Sequence, residues 1–246
     1  MENPKDIRFT VVAAIVVLIT TNTLIKISNK LSNKKFNCKG KQFKNDKNRV
    51  LKSIDADRTG ALHTYFVKTA YNCCSVSEEW VDICALTYTI SQGCRCLDFE
   101  IYENNGKPVV GTTSTPNGVK RDSYNYLELD EVLKYVSSKA FNSGITPTYD
   151  DPLILNFRIK SSNPLLYENI AYTLKNTIYN YLLDIKYSKY MEVSEDSAGL
   201  FKDVRNENIQ NLKNKIIIMA SDYVKNAYTG SGLNEFVNIE GERRIS

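Results

Sequence analysis

The stretch Cys96 to Tyr102 (CLDFEIY) constrains the fold more than any other feature of the chain. Its residues alternate strictly, so that Leu97, Phe99 and Ile101 share one face of an extended strand and Asp98 and Glu100 share the other. The same pattern returns in Leu153 to Ile159 (LILNFRI), with Asn156 and Arg158 on the polar face. Between and around these strands lie segments of helical rhythm: Glu78 to Gln92, closed by Gly93, then Leu127 to Phe141 and Tyr167 to Leu183. Pro108 to Val110 reads as a strand after the turn Asn104-Asn105-Gly106, Ile216 to Ala220 as a buried strand, and Phe236 to Ile239 as a last one. Strands alternating with helices predict an α/β domain with parallel strands. Polar residues at alternate strand positions suit a barrel interior with a site at its mouth better than an open sheet buried on both faces. Such a barrel takes about 250 residues, with about 200 near its floor. The chain offers residues 51–246 for it, so the expectation is an irregular or incomplete TIM-type (β/α) barrel.

Ahead of that domain the chain is organised by charge. Residues 1–8 form a short tail, and Phe9 to Ile25 carries no charged side chain. With Ile27 it reads as a single transmembrane helix over 9–27, Lys26 snorkelling at its end. Residues 28–50 form a Lys/Asn-rich linker. From Lys26 to Arg49 nine Lys or Arg stand against Asp46, a segment of +8 that leaves the remainder at −4 in a chain of net +4. The positive-inside rule then puts the domain on the cytosolic side, the linker lying against anionic headgroups. The mildly acidic domain argues against a nucleic-acid partner. Twenty-five Asn form no N-x-Ser/Thr sequon, in keeping with a domain outside a glycosylating lumen. Six cysteines (Cys38, Cys73, Cys74, Cys84, Cys94, Cys96) match no zinc spacing; the simplest reading is buried free thiols, with disulfides as the alternative.

Several motifs in order resemble a known family. His63-Thr64-Tyr65, Gly93-Cys94-Arg95-Cys96-Leu97-Asp98-Phe99-Glu100, Lys107-Pro108-Val109-Val110 and Asp151-Pro152-Leu153-Ile154-Leu155 follow the X-box of phosphatidylinositol-specific phospholipase C, within the PLC-like phosphodiesterase superfamily. The segment Lys68 to Cys74 and the phrase LDFEIY look closest to members from large DNA viruses, which implies a viral membrane or virion as the setting. The resemblance covers roughly residues 58 to 175. It implies a distorted barrel acting on inositol phospholipids: the inositol 2-hydroxyl attacks phosphorus while a base, an acid and a cation assist.

Carried over residue by residue, the match is partial. His63 takes the first histidine position, although the Asn expected after it is Thr64, so the register there can slip. Asp98 and Glu100 take the acidic positions, a degenerate Ca²⁺ site. The second histidine position falls in Gly111 to Ser114 and is empty, and the chain has no other histidine. The acidic ligand of the later strand corresponds to Arg158, which opposes a divalent cation and suits a phosphate clamp instead. Arg95 reads as a structural partner and Lys68 as a solvated lysine. Two functions follow. One is a membrane-bound, catalytically degenerate module binding anionic or inositol lipid. The other is an active phosphodiesterase using His63 with Asp98, Glu100 and Arg158.

Overall fold

The computed structural model describes residues 12–28, 51–55, 57–77, 79–114, 120–193, 200–222 and 227–241. The chain divides into two compact units, Met1–Lys44 and Asn45–Ser246.

The first unit contains one described helix, α1 (12–28). Its apolar side chains, Leu18 and Leu24 among them, are exposed. Thr20, Thr21 and Thr23 turn their hydroxyls back onto the carbonyls of Val16, Val17 and Ile19, which hides polar groups on an apolar rod. At about 1.5 Å per residue this helix is shorter than a hydrocarbon core of about 30 Å. Among the described residues no helix is long and apolar enough to cross a membrane. The expected span over 9–27 therefore reaches outside the described residues, and the described part does not meet it.

The second unit is built on a mixed seven-stranded sheet. Its strands are β1 (Thr69–Ala70), β4 (Cys96–Asn104), β5 (Lys107–Gly111), β6 (Leu127–Glu128), β7 (Leu153–Ile159), β8 (Ile216–Asp222) and β9 (Val237–Glu240). A separate ribbon joins β2 (Ser75–Ser77) to β3 (Trp80–Val81). The order is β6-β5-β4-β7-β8-β9, with β1 also paired to the start of β4. Strands β1, β4, β7, β8 and β9 run parallel, whereas β5 returns antiparallel to β4. That return is the predicted turn: Asn105 (φ 49°) and Gly106 (φ 78°) both lie in the left-handed region, as a tight two-residue hairpin needs. No pairing among the described residues joins β9 to β6 or β1, so closure of the expected irregular or incomplete barrel is not seen among them.

Helices cover the apolar face. They are α2 (Ile83–Ser91), α3 (Leu129–Lys139) and α4 (Pro164–Thr177), with a short α5 (Lys189–Val193) later in the chain. Leu97, Phe99 and Ile101 of β4 and Leu153, Leu155 and Phe157 of β7 are buried in one cluster with Leu133 of α3 and Ile170 of α4. Phe99 meets Phe157 edge-on at 6.1 Å between ring centres. The helix starts differ from the sequence expectation for local reasons. Asp82 caps α2 by accepting from the Cys84 N–H (3.0 Å), so residues before it are free to form β3. Asn163 caps α4 with Pro164 at its first position, starting that helix earlier than Tyr167. Cys73, Cys74, Cys94 and Cys96 are buried free thiols.

Candidate functional site

The opposite face of the sheet changes character along the strands. At their starts it is apolar: Cys96, Ile154 and Ile217 pack with Leu62, Ile209 and Leu212. Two residues further on, Asp98 lies beside Asn156, and two further still Glu100 lies beside Arg158. Period-two alternation brings these four side chains to one face, and the parallel register makes them neighbours. Asp98 (3% exposed) and Glu100 (1%) are buried.

Arg158 ties the cluster together. Its Nε and Nη2 donate to the two oxygens of Asp98 at 2.9 and 2.7 Å, and its Nη1 donates to Glu100 Oε1 at 2.5 Å. Nη2 also donates to Asn72 Oδ1 at 2.5 Å. Asn72 follows β1 with φ 44°, a conformation asparagine tolerates, and its own N–H donates to Asp98 Oδ2 at 3.0 Å. The Tyr71 ring covers the guanidinium, 4.3 Å from its carbon. Asn156 Nδ2 donates to Asp98 Oδ1 at 2.7 Å. Glu100 Oε2 accepts from the Tyr102 hydroxyl (2.9 Å) and the Thr113 N–H (2.7 Å), and Lys160 Nζ lies 3.9 Å from Oε1.

Two carboxylates are thus matched by two cations in a desolvated setting. Burial works against the charge of Arg158, but the hydrogen bonds and charge of Asp98, with that of Glu100, outweigh it and hold the group above its ordinary range. Burial and the adjoining Glu100 carboxylate push the Tyr102 phenol up, so it stays a donor.

This arrangement does not fit calcium. The ion takes about six to eight oxygens at about 2.3–2.6 Å. Here the oxygens of Asp98, Glu100 and Asn72 converge on a guanidinium instead. Among the described residues no group of three or more His, Cys, Asp or Glu stands ready for a metal ion.

His63 is elsewhere. It sits exposed in the 3-10 turn Leu62–Thr64, and its Nδ1 donates to the Arg205 carbonyl at 2.8 Å. Its neighbour Leu62 packs over the strand starts with Cys96 and Ile154, away from Arg158 at the strand ends. The structure therefore brings Asp98, Glu100 and Arg158 together and leaves His63 out. In its stead, Tyr71 and Asn72, which the motif reading quoted within Lys68 to Cys74 without giving them a role, meet Arg158. The signal was present: a short extended run ending in Asn, directly before Cys73-Cys74. Where the second histidine was expected, Thr112 is buried and donates its N–H to Ser123 Oγ (3.2 Å). Arg95 is structural, donating to the carbonyls of Ala140, Asp151 and Pro152, and burial pulls it down to about 10 against the opposing charges of Asp151 and Asp150. Lys68 is not a solvated lysine: its Nζ donates to the Gln92 carbonyl at 2.8 Å.

Residues 59–222 match the family model "Phosphatidylinositol-specific phospholipase C, X domain". No curated protein matches by sequence. Among solved structures, PLC21 of L. pealei aligns with a TM-score of 0.55 at 14% identity, covering 82% of this chain and 27% of its own. PLC21 of S. officinalis aligns with a TM-score of 0.55 at 16% identity, covering 78% of this chain and 25% of its own. At such identities the likeness is one of fold, and the chain spans about a quarter of either relative's length.

Proposed function

Given that the chain belongs to the phosphatidylinositol-specific phospholipase C X-domain family, we propose that it is a membrane-anchored member that binds lipid or scaffolds an assembly and does not turn over phosphodiesters efficiently. One observation carries this reading: the Arg158 guanidinium occupies the point where Asp98, Glu100 and Asn72 converge. Cleavage of an inositol phospholipid needs a base for the 2-hydroxyl, an acid for the leaving oxygen and a cation facing the phosphate. A guanidinium whose N–H groups are already taken by two carboxylates and an amide has little left to offer a phosphate. No imidazole joins the cluster, and losing one proton-transfer group costs about 10²–10⁴ in rate. The alternative, an active hydrolase using His63, is opposed by the distance implied by His63's contacts at the strand starts.

Membrane attachment rests on the apolar surface of α1 and on the +8 segment from Lys26 to Arg49. The positive-inside rule favours a domain on the cytosolic side. The likeness of LDFEIY to members from large DNA viruses supports a viral membrane as its setting.

The test is an assay of the full chain on phosphatidylinositol vesicles with and without Ca²⁺. Release of inositol phosphate no faster than buffer agrees with the proposal. Turnover that disappears in His63→Ala contradicts it.

A further inference from the structure

Helix α4 gives one side to the core and leaves the other in water. Leu166, Tyr167, Ile170, Ala171 and Leu174 are buried in the main apolar cluster. The opposite side carries Leu165 and Tyr172, 58% and 71% exposed, and exposed Tyr179 follows in the 3-10 turn directly after the helix. Residues seven apart differ by about 20° around a helix, so Leu165 and Tyr172 stand in one line, two turns apart. Glu168 and Lys175, also seven apart and exposed, form a second line on one flank of the first. The other flank, with Asn169 and Asn176, carries no charge. Large apolar side chains set in a row and rimmed by polar ones mark a contact surface.

We propose that this face pairs with the same face of a second copy of the chain, the two α4 helices lying antiparallel with the two-fold axis at Tyr172. The placement of charge selects a second copy over any other partner. In an isologous contact each residue meets the one at the mirrored offset, so the two Tyr172 rings meet at the axis and Leu165 meets Tyr179 of the second copy. Glu168 lies four residues before the axis and Lys175 three after it, on the same flank. The two-fold rotation reverses the helix and keeps that flank on the same side. Glu168 therefore faces Lys175 of the second copy to within one residue's rise, about 1.5 Å, and the pair occurs twice. A parallel arrangement would set like charge against like. Among the described residues Lys175 has no ion pair within its own chain, and Glu168 engages Oε1, which accepts the Gly232 N–H at 2.9 Å. Tyr179 also stands on the wall of a groove of about 580 Å³ with Leu182, Leu183 and Phe236, which receives Leu165 of the second copy. Tyrosine suits such a seam, since it buries much area at little entropic cost and keeps a hydroxyl for the wet rim. One helix pair lies at the low end of interface sizes, below about 1,200 Å², so the dimer is reversible. It requires neither turnover nor lipid binding by the polar cluster.

The experiment uses the full chain in neutral detergent under mild copper-catalysed oxidation, read on a non-reducing gel. Facing helices about 8–10 Å apart bring the Cβ atoms at the axis within disulfide reach. Tyr172→Cys should therefore form covalent dimer well above the parent chain. Leu165→Cys, about 21 Å along the helix from its own equivalent, should not. Both positions are exposed, so neither change disturbs the core. Association through α1 or through the native cysteines acts alike on the two variants and does not reproduce the difference. Equal cross-linking at both positions, none at either, or cross-linking of Leu165→Cys alone each overturns the antiparallel pairing. Lys175→Glu gives a second reading by sedimentation equilibrium. It turns two attractive pairs repulsive, so dimerisation should weaken by roughly tenfold, and an unchanged affinity rejects the proposal.

Discussion

Arg158 has 18% of its side chain exposed and holds two carboxylates that are almost entirely buried, so its charge is a structural requirement before it is anything else. Removing one partner of a buried pair leaves the other uncompensated, which costs about 3–5 kcal/mol. Arg158→Gln should therefore lower unfolding stability by about that amount in urea, and the triple change Asp98→Asn, Glu100→Gln, Arg158→Met should recover much of the loss. A variant as stable as the parent would mean the ion pairs contribute nothing. His63→Ala should behave in the opposite way. It loses one exposed bond to the Arg205 carbonyl, so its effect should stay under about 1 kcal/mol in the same titration. The contrast shows what was legible at this scale. Alternation alone put Asp98, Glu100, Asn156 and Arg158 on polar faces, because side chains two apart in a strand must share a side. The partner of Arg158 required the register between β4 and β7, which is a tertiary pairing, with Phe99 packed edge-on against Phe157, and not a local property of either strand. His63 lies on the Arg205 carbonyl while Tyr71 and Asn72 meet Arg158, a difference that depends on how β1 pairs with β4 and not on the local motif.

Elements were readable where their period was long and their ends were marked. Strand β7 coincides with the expected LILNFRI, and β4 extends the expected CLDFEIY to Asn104. Ends set by tertiary contacts were not readable: Leu127 and Glu128 leave the expected helix to pair with β5, and the helix expected to Leu183 stops at Thr177 before a 3-10 turn at Tyr179–Tyr181. Gly93 is a marked end. It stands two residues past α2 with φ +75°, its N–H bonded to the Ile90 carbonyl, and an added Cβ would lie 3.1 Å from the Leu51 carbonyl oxygen. Gly93→Ala should cost about 1 kcal/mol or more, read from the urea midpoint. The loop into β7 adds a pH dependence. Burial, helped by the charge of Asp150, pushes the Asp151 carboxyl above its ordinary range despite the bond from the Ile54 N–H. A raised folded-state value means that its contribution is present in acid and is lost as pH rises through that value. Asp151→Asn keeps the acceptor without the charge, so it should be more stable than the parent near neutrality, and the gain should vanish below about pH 4. A gain that persists in acid would assign the effect to packing.

For the whole molecule, the sequence pattern announced an α/β architecture, and the mixed sheet covered by helices has it. Closure did not follow, since β9 and β6 end the sheet unpaired among the described residues, as a domain near the lower size limit of a barrel allows. Deleting residues 1–28 should release the chain from membranes in a carbonate-free flotation assay, because α1 holds the long apolar surface outside the domain core. Retention would assign attachment to the basic segment. The account as a whole turns on one substitution of chemistry, an internal guanidinium standing where oxygen ligands gather. The decisive measurement is the unfolding temperature of the full chain as Ca²⁺ is raised through the millimolar range. A ligand bound only by the folded state adds about 2.7 kcal/mol at a hundred times its Kd, enough to be unmistakable. No shift is predicted, since Arg158 already satisfies Asp98 and Glu100; a saturable rise in stability that Asp98→Asn abolishes would contradict the account.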